Sequence, residues 1–341
     1  MRAVRHLTRK DAAKFLSRLD VVVFDCDGVL WRGDHAVPGC AEALSSLRRA
    51  GKRLVFLTNS SSKSRSQTRD KLDSFGLLAD DQGEGERDIV VTSGFSAAQH
   101  LARVLQLQAS PRPKVMALGG DGLREELLAA GLEVVVPRDG DVAGGAGWSA
   151  KGFAALDPDP EVGAVVVGAD PELTFAAVGQ AALALQDPAC AFLATNLDAS
   201  VNVGTASRPR LMPEAGATVG AVSSSTGRRP VDCGKGGDWL PQLLPHLLPG
   251  TALNNGPVTA SDSNDNLGRH CRVAMVGDRL DTDIAFGQQC GFATLLPLTG
   301  VTSRQMLHDM RREPSSGAQL ESPSPWPDFV IDSVAELRMD E

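Results

Sequence analysis

Val21-Val22-Val23-Phe24 is an unbroken apolar run that stops at Asp25-Cys26-Asp27-Gly28. A short run with no polar alternation is the pattern of a strand buried on both faces, as in a parallel sheet covered by helices. The pattern recurs. Leu54-Val55-Phe56-Leu57 runs into Thr58-Asn59-Ser60-Ser61-Ser62, Ile89-Val90-Val91 forms a third run, and Val273-Ala274-Met275-Val276 leads into Gly277-Asp278. Ala293 to Leu296 and Phe329-Val330-Ile331 continue the series. Helical signals lie between the runs. Thr8 with Asp11 reads as an N-cap ahead of Ala12, Phe15, Leu16 and Leu19, and residues 41–50 turn Leu44 and Leu47 inward before Gly51 stops them. Strands alternating with helices imply right-handed crossovers and a doubly wound, Rossmann-like parallel sheet.

From Lys114 the pattern restarts. Val115-Met116-Ala117-Leu118 precedes a helix capped by Asp121 that runs to Gly131. Strands follow near Glu133 to Val136, Ala164 to Val167 and Phe192-Leu193-Ala194. Asp170-Pro171 supplies a cap and a first-turn Pro for a helix reaching Gln186. After Gly234 the first pattern resumes, with a helix expected from Asp281. The chain has 341 residues, more than one hydrophobic core usually supports, so we expect two α/β domains. These are a core of 1–110 with 232–341 and an inserted domain over 111–231. Segments 80–87, 142–160, 254–268 and 315–327 read as surface loops.

Composition narrows the function classes. There are 34 Lys plus Arg against 42 Asp plus Glu, a formal charge of −8, which opposes a phosphate-backbone binder. Aromatics make up 4% with no Tyr, a poor base-stacking surface. No apolar run approaches the roughly 18 residues a membrane span requires. The basic start, with Arg2, Arg5, Arg9 and Lys10, is read as part of the fold rather than as a transit peptide. Six Cys without a C-x-x-C pair suit reduced thiols, and we expect a cytoplasmic protein, with chloroplast or another organelle not excluded.

The polar clusters carry the chemistry. In open parallel sheets ligands bind beyond the carboxyl ends of the strands, where Asp25 and Asp27 stand two residues apart. One such acid can attack phosphorus while the other handles protons. Two carboxylates repel a phosphate dianion, so the chemistry calls for a hard divalent cation. Thr58, Asn59 and Ser60 offer donors for phosphate oxygens, and Lys235 offers a neutralising charge. Asp278 completes a metal site, and Asp283 is a further acid behind it or an additional ligand. Each cluster also has a plain reading: a solvated acidic loop, a helix-capping turn, a surface lysine, or acids at a helix N-terminus. All four together are harder to explain that way.

In order and spacing these motifs resemble the haloacid dehalogenase superfamily. D-C-D-G-V-L-W-R-G from Asp25 to Gly33 and V-G-D-R-L-D-T-D-I from Val276 to Ile284 are similar to the phosphoglycolate, 4-nitrophenyl and pyridoxal phosphate phosphatases. Thr92-Ser93, Thr195-Asn196-Leu197-Asp198 and Pro327-Asp328-Phe329-Val330-Ile331-Asp332 extend the resemblance over most of the chain. It implies a Rossmann-like core with a large cap domain and a magnesium-dependent phosphatase working through an aspartyl-phosphate. By the same resemblance, Asp25 is the nucleophile and Asp27 the acid/base. Thr58, Asn59 and Ser60 bind phosphoryl, Lys235 neutralises charge, and Asp25, Asp278 and the Asp27 carbonyl bind Mg2+. The family usually has Pro after the motif Lys and often Asn after Asn59; here Gly236 and Ser60 stand there. The partner expected is a small phosphorylated metabolite, most of all 2-phosphoglycolate, because no His follows the Thr195–Asp198 turn as it does in pyridoxal phosphate phosphatases. Glycerol 3-phosphate and broad aryl or alkyl phosphates are alternatives, as is a non-catalytic metabolite-binding protein. Nucleic-acid and membrane partners are not expected, and subfamily members often pair as homodimers through the cap.

Overall fold

The computed structural model describes residues 5–79, 88–137, 149–203, 208, 210–249, 272–312 and 325–339. The chain divides into two compact units. One holds 1–58, 69–90 and 244–341; the other holds 59–68 and 91–243. These bounds differ from the sequence expectation at 59–68, 91–110 and 232–243.

The first unit is built on the expected parallel sheet. The seven strands lie in the order Arg5–His6, Phe329–Ile331, Ala293–Pro297, Val273–Val276, Val21–Phe24, Arg53–Thr58, Ile89–Thr92. Val21–Phe24 sits centrally, parallel to both neighbours, with Val23 opposite Met275 on one side and Val55 on the other. All four of its residues are buried, which explains why the run carries no polar alternation. From this strand the chain winds outward to one edge, then returns to Val273–Val276 and winds to the other. The order therefore reverses between Val21–Phe24 and Val273–Val276, and the crevice beyond their carboxyl ends is the topological switch point. Helix Arg9–Leu16 starts at the Thr8 cap as expected, and Cys40–Arg49 buries Leu44 and Leu47. Phe24, Leu44, Leu47, Phe56 and Ile331 belong to one apolar cluster.

The second unit carries its own five-stranded sheet, ordered Val231–Asp232, Ala191–Ala194, Val162–Val167, Lys114–Leu118, Glu133–Val135, with every pairing parallel. Segment 59–68 belongs here for a physical reason. The carboxylate of Glu126, 3% exposed, accepts from the Arg65 backbone N–H at 2.5 Å and from Arg65 Nε at 2.9 Å. A charge buried that deeply is tolerated only when paired and hydrogen-bonded. The Arg65 guanidinium also lies 3.8 Å above the Phe95 ring.

Two expectations need correction, and a third is refined. The helix assigned to Asp170-Pro171 begins later, at Phe175. Asp170 closes its own turn by accepting from Glu172 N at 3.0 Å, and Thr174 provides the cap by accepting from Ala177 N at 3.1 Å. The helix expected from Asp281 opens instead as a π turn, Leu280–Ile284, before Ala285–Gln289. Of the expected loops, 80–87 and 254–268 lie outside the described residues, and 315–327 is described only from 325. Segment 142–160 is described from 149, and there Ser149 caps a short helix, Ala150–Ala154, by accepting from Gly152 N at 3.0 Å.

Candidate active site

Asp25 directly follows the central strand, and its N–H donates to the Val276 carbonyl at 2.8 Å, extending the pairing by one residue. Asp278 follows the neighbouring strand by one residue more. The switch point thus places both acids at its mouth. Asp283 joins them because the π turn packs an extra residue into one revolution, and its Oδ2 accepts from Arg279 N at 3.0 Å. Carboxylate oxygens of Asp25, Asp278 and Asp283 lie within 4.8 Å of one another. The three residues are 8%, 2% and 1% exposed.

The wall around Asp278 is made of backbone. Val301 N donates to its Oδ2 at 2.5 Å and Thr302 N to its carbonyl at 3.1 Å. Gly28 has φ 82° and a Cβ there would lie 2.5 Å from Asp278 Oδ2, so only glycine fits. A Cβ at Gly300 would overlap the same carboxylate. Thr299 Oγ1 donates to the Gly28 carbonyl at 2.7 Å and ties the two walls together. The 299–301 turn was not singled out in the sequence; its signal is a glycine just past the strand Ala293–Pro297.

Unit charges 4.8 Å apart repel by about 3–4 kcal/mol per pair at an effective dielectric of about 20. A marginally stable fold keeps three such charges together only with compensation. An all-oxygen donor set without His or Cys matches a hard divalent cation such as Mg2+. A second trio, His6, Asp332 and Glu336, is less suited, since Arg304 Nη2 already holds Asp332 Oδ1 at 2.6 Å.

Asp27 is exposed, and its carboxylate is not one of the three. Its Oδ1 accepts from Trp31 Nε1 at 2.7 Å, and Gly28 N donates to the Trp31 carbonyl at 2.7 Å. The small hairpin Trp31–Arg32 with His35–Ala36 therefore fixes this side chain beyond the strand end. Thr58 ends its strand buried at 6% exposure. Cys26, fully buried between the acids, belongs to the core cluster behind the loop.

A second polar cluster lies wholly within the other unit, centred on Asn59. The Asn59 Oδ1 accepts from Lys235 N at 2.9 Å, and its Nδ2 donates to Asp198 Oδ2 at 2.9 Å. The Asn59 carbonyl accepts from Asn196 Nδ2 at 2.7 Å and from Ser93 Oγ at 2.5 Å. The amide thus orients the backbone that carries Lys235, a lysine only 2% exposed. Ser60 Oγ pairs with Ser62 Oγ at 2.9 Å, whereas buried Ser61 receives Ala169 N at 3.4 Å and meets Thr195 Oγ1 at 3.2 Å. Asp232 accepts from Gly234 N at 2.8 Å, and its carboxyl is pushed up to about 6. Burial is the main cause and the nearby Asp198 charge adds to it, against the Gly234 hydrogen bond. Sequence reasoning missed Asp232; an acid three residues before the motif lysine was its only trace.

The haloacid dehalogenase-like hydrolase family model matches residues 22–133, and a HAD-hydrolase-like model matches 261–337. The chain is 35% identical over 334 residues to phosphoglycolate phosphatase 2 of Arabidopsis thaliana, covering 97% of this chain and 96% of that one. It is 35% identical over 340 residues to the glycerol-3-phosphate phosphatase of Homo sapiens, covering 98% and 95%. A glycerol phosphate phosphatase of Mycobacterium tuberculosis, solved with magnesium, superposes with a TM-score of 0.65 at 26% identity over 96% of this chain and 79% of that one.

Proposed function

We infer the chemistry from a premise the relatives establish: this chain belongs to the haloacid dehalogenase-like hydrolase family and is a phosphoric monoester hydrolase. The observation that carries the mechanism is the buried set of Asp25, Asp278 and Asp283 at the switch point. Asp25 attacks phosphorus in line, forming an aspartyl-phosphate as the ester oxygen leaves, and Asp27 gives that oxygen its proton. Asp27, now a carboxylate, takes a proton from a water that attacks the same phosphorus and frees Asp25. Trp31 holds Asp27 in place for both transfers. Thr58, Asn59 and Ser60 serve the phosphoryl oxygens, Asn59 chiefly by orienting its neighbours, and Lys235 offsets their charge.

Asp25, Asp278 and the Asp27 carbonyl would hold Mg2+, with Asp283 beside them. Bound there, the ion would supply positive charge for the phosphoryl oxygens and relieve the repulsion among the acids. In this reading 1–110 with 232–341 act as the catalytic core and 111–231 as the cap that selects substrate.

For the substrate we favour 2-phosphoglycolate. Ala199, Ser200, Val201 and Asn202 follow the Asp198 turn, and none of them is the His that marks pyridoxal phosphate phosphatases. Glycerol 3-phosphate is the second reading, because the human enzyme named for it is as similar as the plant phosphoglycolate enzyme. Comparing kcat/KM for phosphoglycolate, glycerol 3-phosphate and pyridoxal phosphate tests the choice. A clear preference for pyridoxal phosphate would overturn both readings. Among the described residues no helix is long and apolar enough to cross a membrane. A cytoplasmic location and pairing through the cap remain proposals beside the reaction.

A further inference from the structure

The backbone on either side of Lys235 meets one carboxylate. Asp232 closes the edge strand Val231–Asp232, where Cys233 N donates to the Ala194 carbonyl at 2.9 Å. From there its Oδ1 accepts from Gly234 N at 2.8 Å, anchoring the residue before the lysine. Its Oδ2 lies where the residue after the lysine would carry a side chain: a Cβ at Gly236 would stand 2.8 Å from that oxygen. At Gly237 a Cβ would overlap the Asp232 carbonyl. The family that these motifs resemble usually has Pro at this position. A ring there would claim the space this carboxylate takes.

We propose that Asp232 is a positioning residue for Lys235, and that Asp232 with Gly236 forms one exchangeable unit standing in for the usual proline. The proposal rests on the reading of Lys235 as the charge that serves the phosphoryl group. A proline stiffens the turn covalently by fixing φ. Here the same turn is stiffened by a hydrogen bond before the lysine and by carboxylate packing after it. Asn59 adds a third restraint through Lys235 N, so the lysine backbone is held on both sides and at its own amide. The placement carries a cost that a purely structural acid would have little reason to bear. Asp232 is mostly buried, faces the Asp198 charge and takes a proton more readily than an ordinary carboxyl. Carboxyl groups held against such a cost cluster at functional sites.

The test is a double-mutant cycle with a lysine reference. Asp232→Ala should lower kcat about 10- to 100-fold with KM little changed, the size of effect expected when a reacting group is misplaced by about an ångström. Asp232→Asn, which keeps the acceptor for Gly234 N, should retain near-full kcat. Gly236→Pro and the milder Gly236→Ala should each lose activity alone, because their added atoms meet the carboxylate. The double variant Asp232→Ala/Gly236→Pro should regain most of the kcat lost by either single change. Lys235→Ala must lose at least as much as Asp232→Ala. A Lys235→Ala enzyme with wild-type turnover would overturn the reading of the lysine and the proposal with it. An impaired Lys235→Ala beside Asp232→Ala at wild-type kcat would overturn the proposal alone. A double variant no better than the worse single one would do the same. Melting temperatures of all variants identify any that lose activity by unfolding, and the Asp232→Asn result decides where a proline variant does not fold.

Discussion

The two polar clusters are built in opposite ways. The trio of Asp25, Asp278 and Asp283 hangs from the ends of two adjacent strands and one π turn, so the pairing of Val21–Phe24 with Val273–Val276 does nearly all the work. The members of the Asn59 cluster also follow strands, Arg53–Thr58, Ala191–Ala194 and Val231–Asp232, but a web of hydrogen bonds ties them together. Its members come from positions 139 and 176 residues away, joined by single hydrogen bonds to Asp198 and Lys235. The first cluster gathers three carboxylates, a donor set that matches a hard divalent cation. In the second, donors and acceptors match, and what has to be set is the placement of one lysine.

Breaking the first cluster should have the largest effect. Asp278→Ala is expected to lower kcat by about 10³-fold or more, comparable to losing a principal electrostatic stabiliser, as measured by steady-state hydrolysis of an aryl phosphate. Lys235→Ala should follow at about 10²- to 10³-fold in kcat, with a smaller rise in KM, because the charge meets the ground state and meets the transition state more strongly. Asn59→Ala should come next. It removes the Asn59 hydrogen bonds to the Lys235 amide and to Asp198, a loss of about 1–3 kcal/mol in stability, read from urea unfolding, together with a fall in kcat.

A smaller effect separates the clusters by cation. Millimolar Mg2+ should raise the melting temperature of the wild type by binding the folded state, and Asp278→Ala should abolish that shift while Asn59→Ala retains it. The smallest effect concerns pH. Asp232 has a folded-state pKa raised to about 6 from 3.8 by burial and by the Asp198 charge. The folded state therefore holds this proton more tightly than the unfolded one, and the advantage is fully present below about 4. It is lost as pH rises through about 6. Asp232→Asn, which never ionises, should match the wild type below about pH 4, where Asp232 is protonated in both states, and melt a few degrees higher at pH 8. Equal differences at both pH values would contradict the placement of this carboxyl.

The same contrast decides what could be read from the sequence. The central sheet and Asp25, Asp278 and Asp283 were legible because a strand buried on both faces must be apolar throughout, so the polar residue that ends it stands out. Capping at Thr8 was legible for a similar local reason, whereas Thr174 was passed over for Asp170-Pro171, a turn with the same composition. The role of Asn59 as a hub was not legible. A lone amide carries no sequence mark of the particular donors and acceptors it will meet. Asp232 carries no mark in the sequence, and Gly236 reads only as a departure from the proline usual after the motif lysine. Only the 2.8 Å approach of the Asp232 carboxylate to the space beside Gly236 shows that the two belong together.

The central claim is that Asp25 carries the phosphoryl group during turnover. Acid-quenching the enzyme in mid-turnover with an aryl phosphate and mapping its peptides by mass spectrometry tests this directly. The account predicts a phosphoryl adduct on the peptide containing Asp25, absent from Asp25→Asn, which should also lose turnover. Continued magnesium-dependent turnover by Asp25→Asn, or an adduct on another residue, would contradict it.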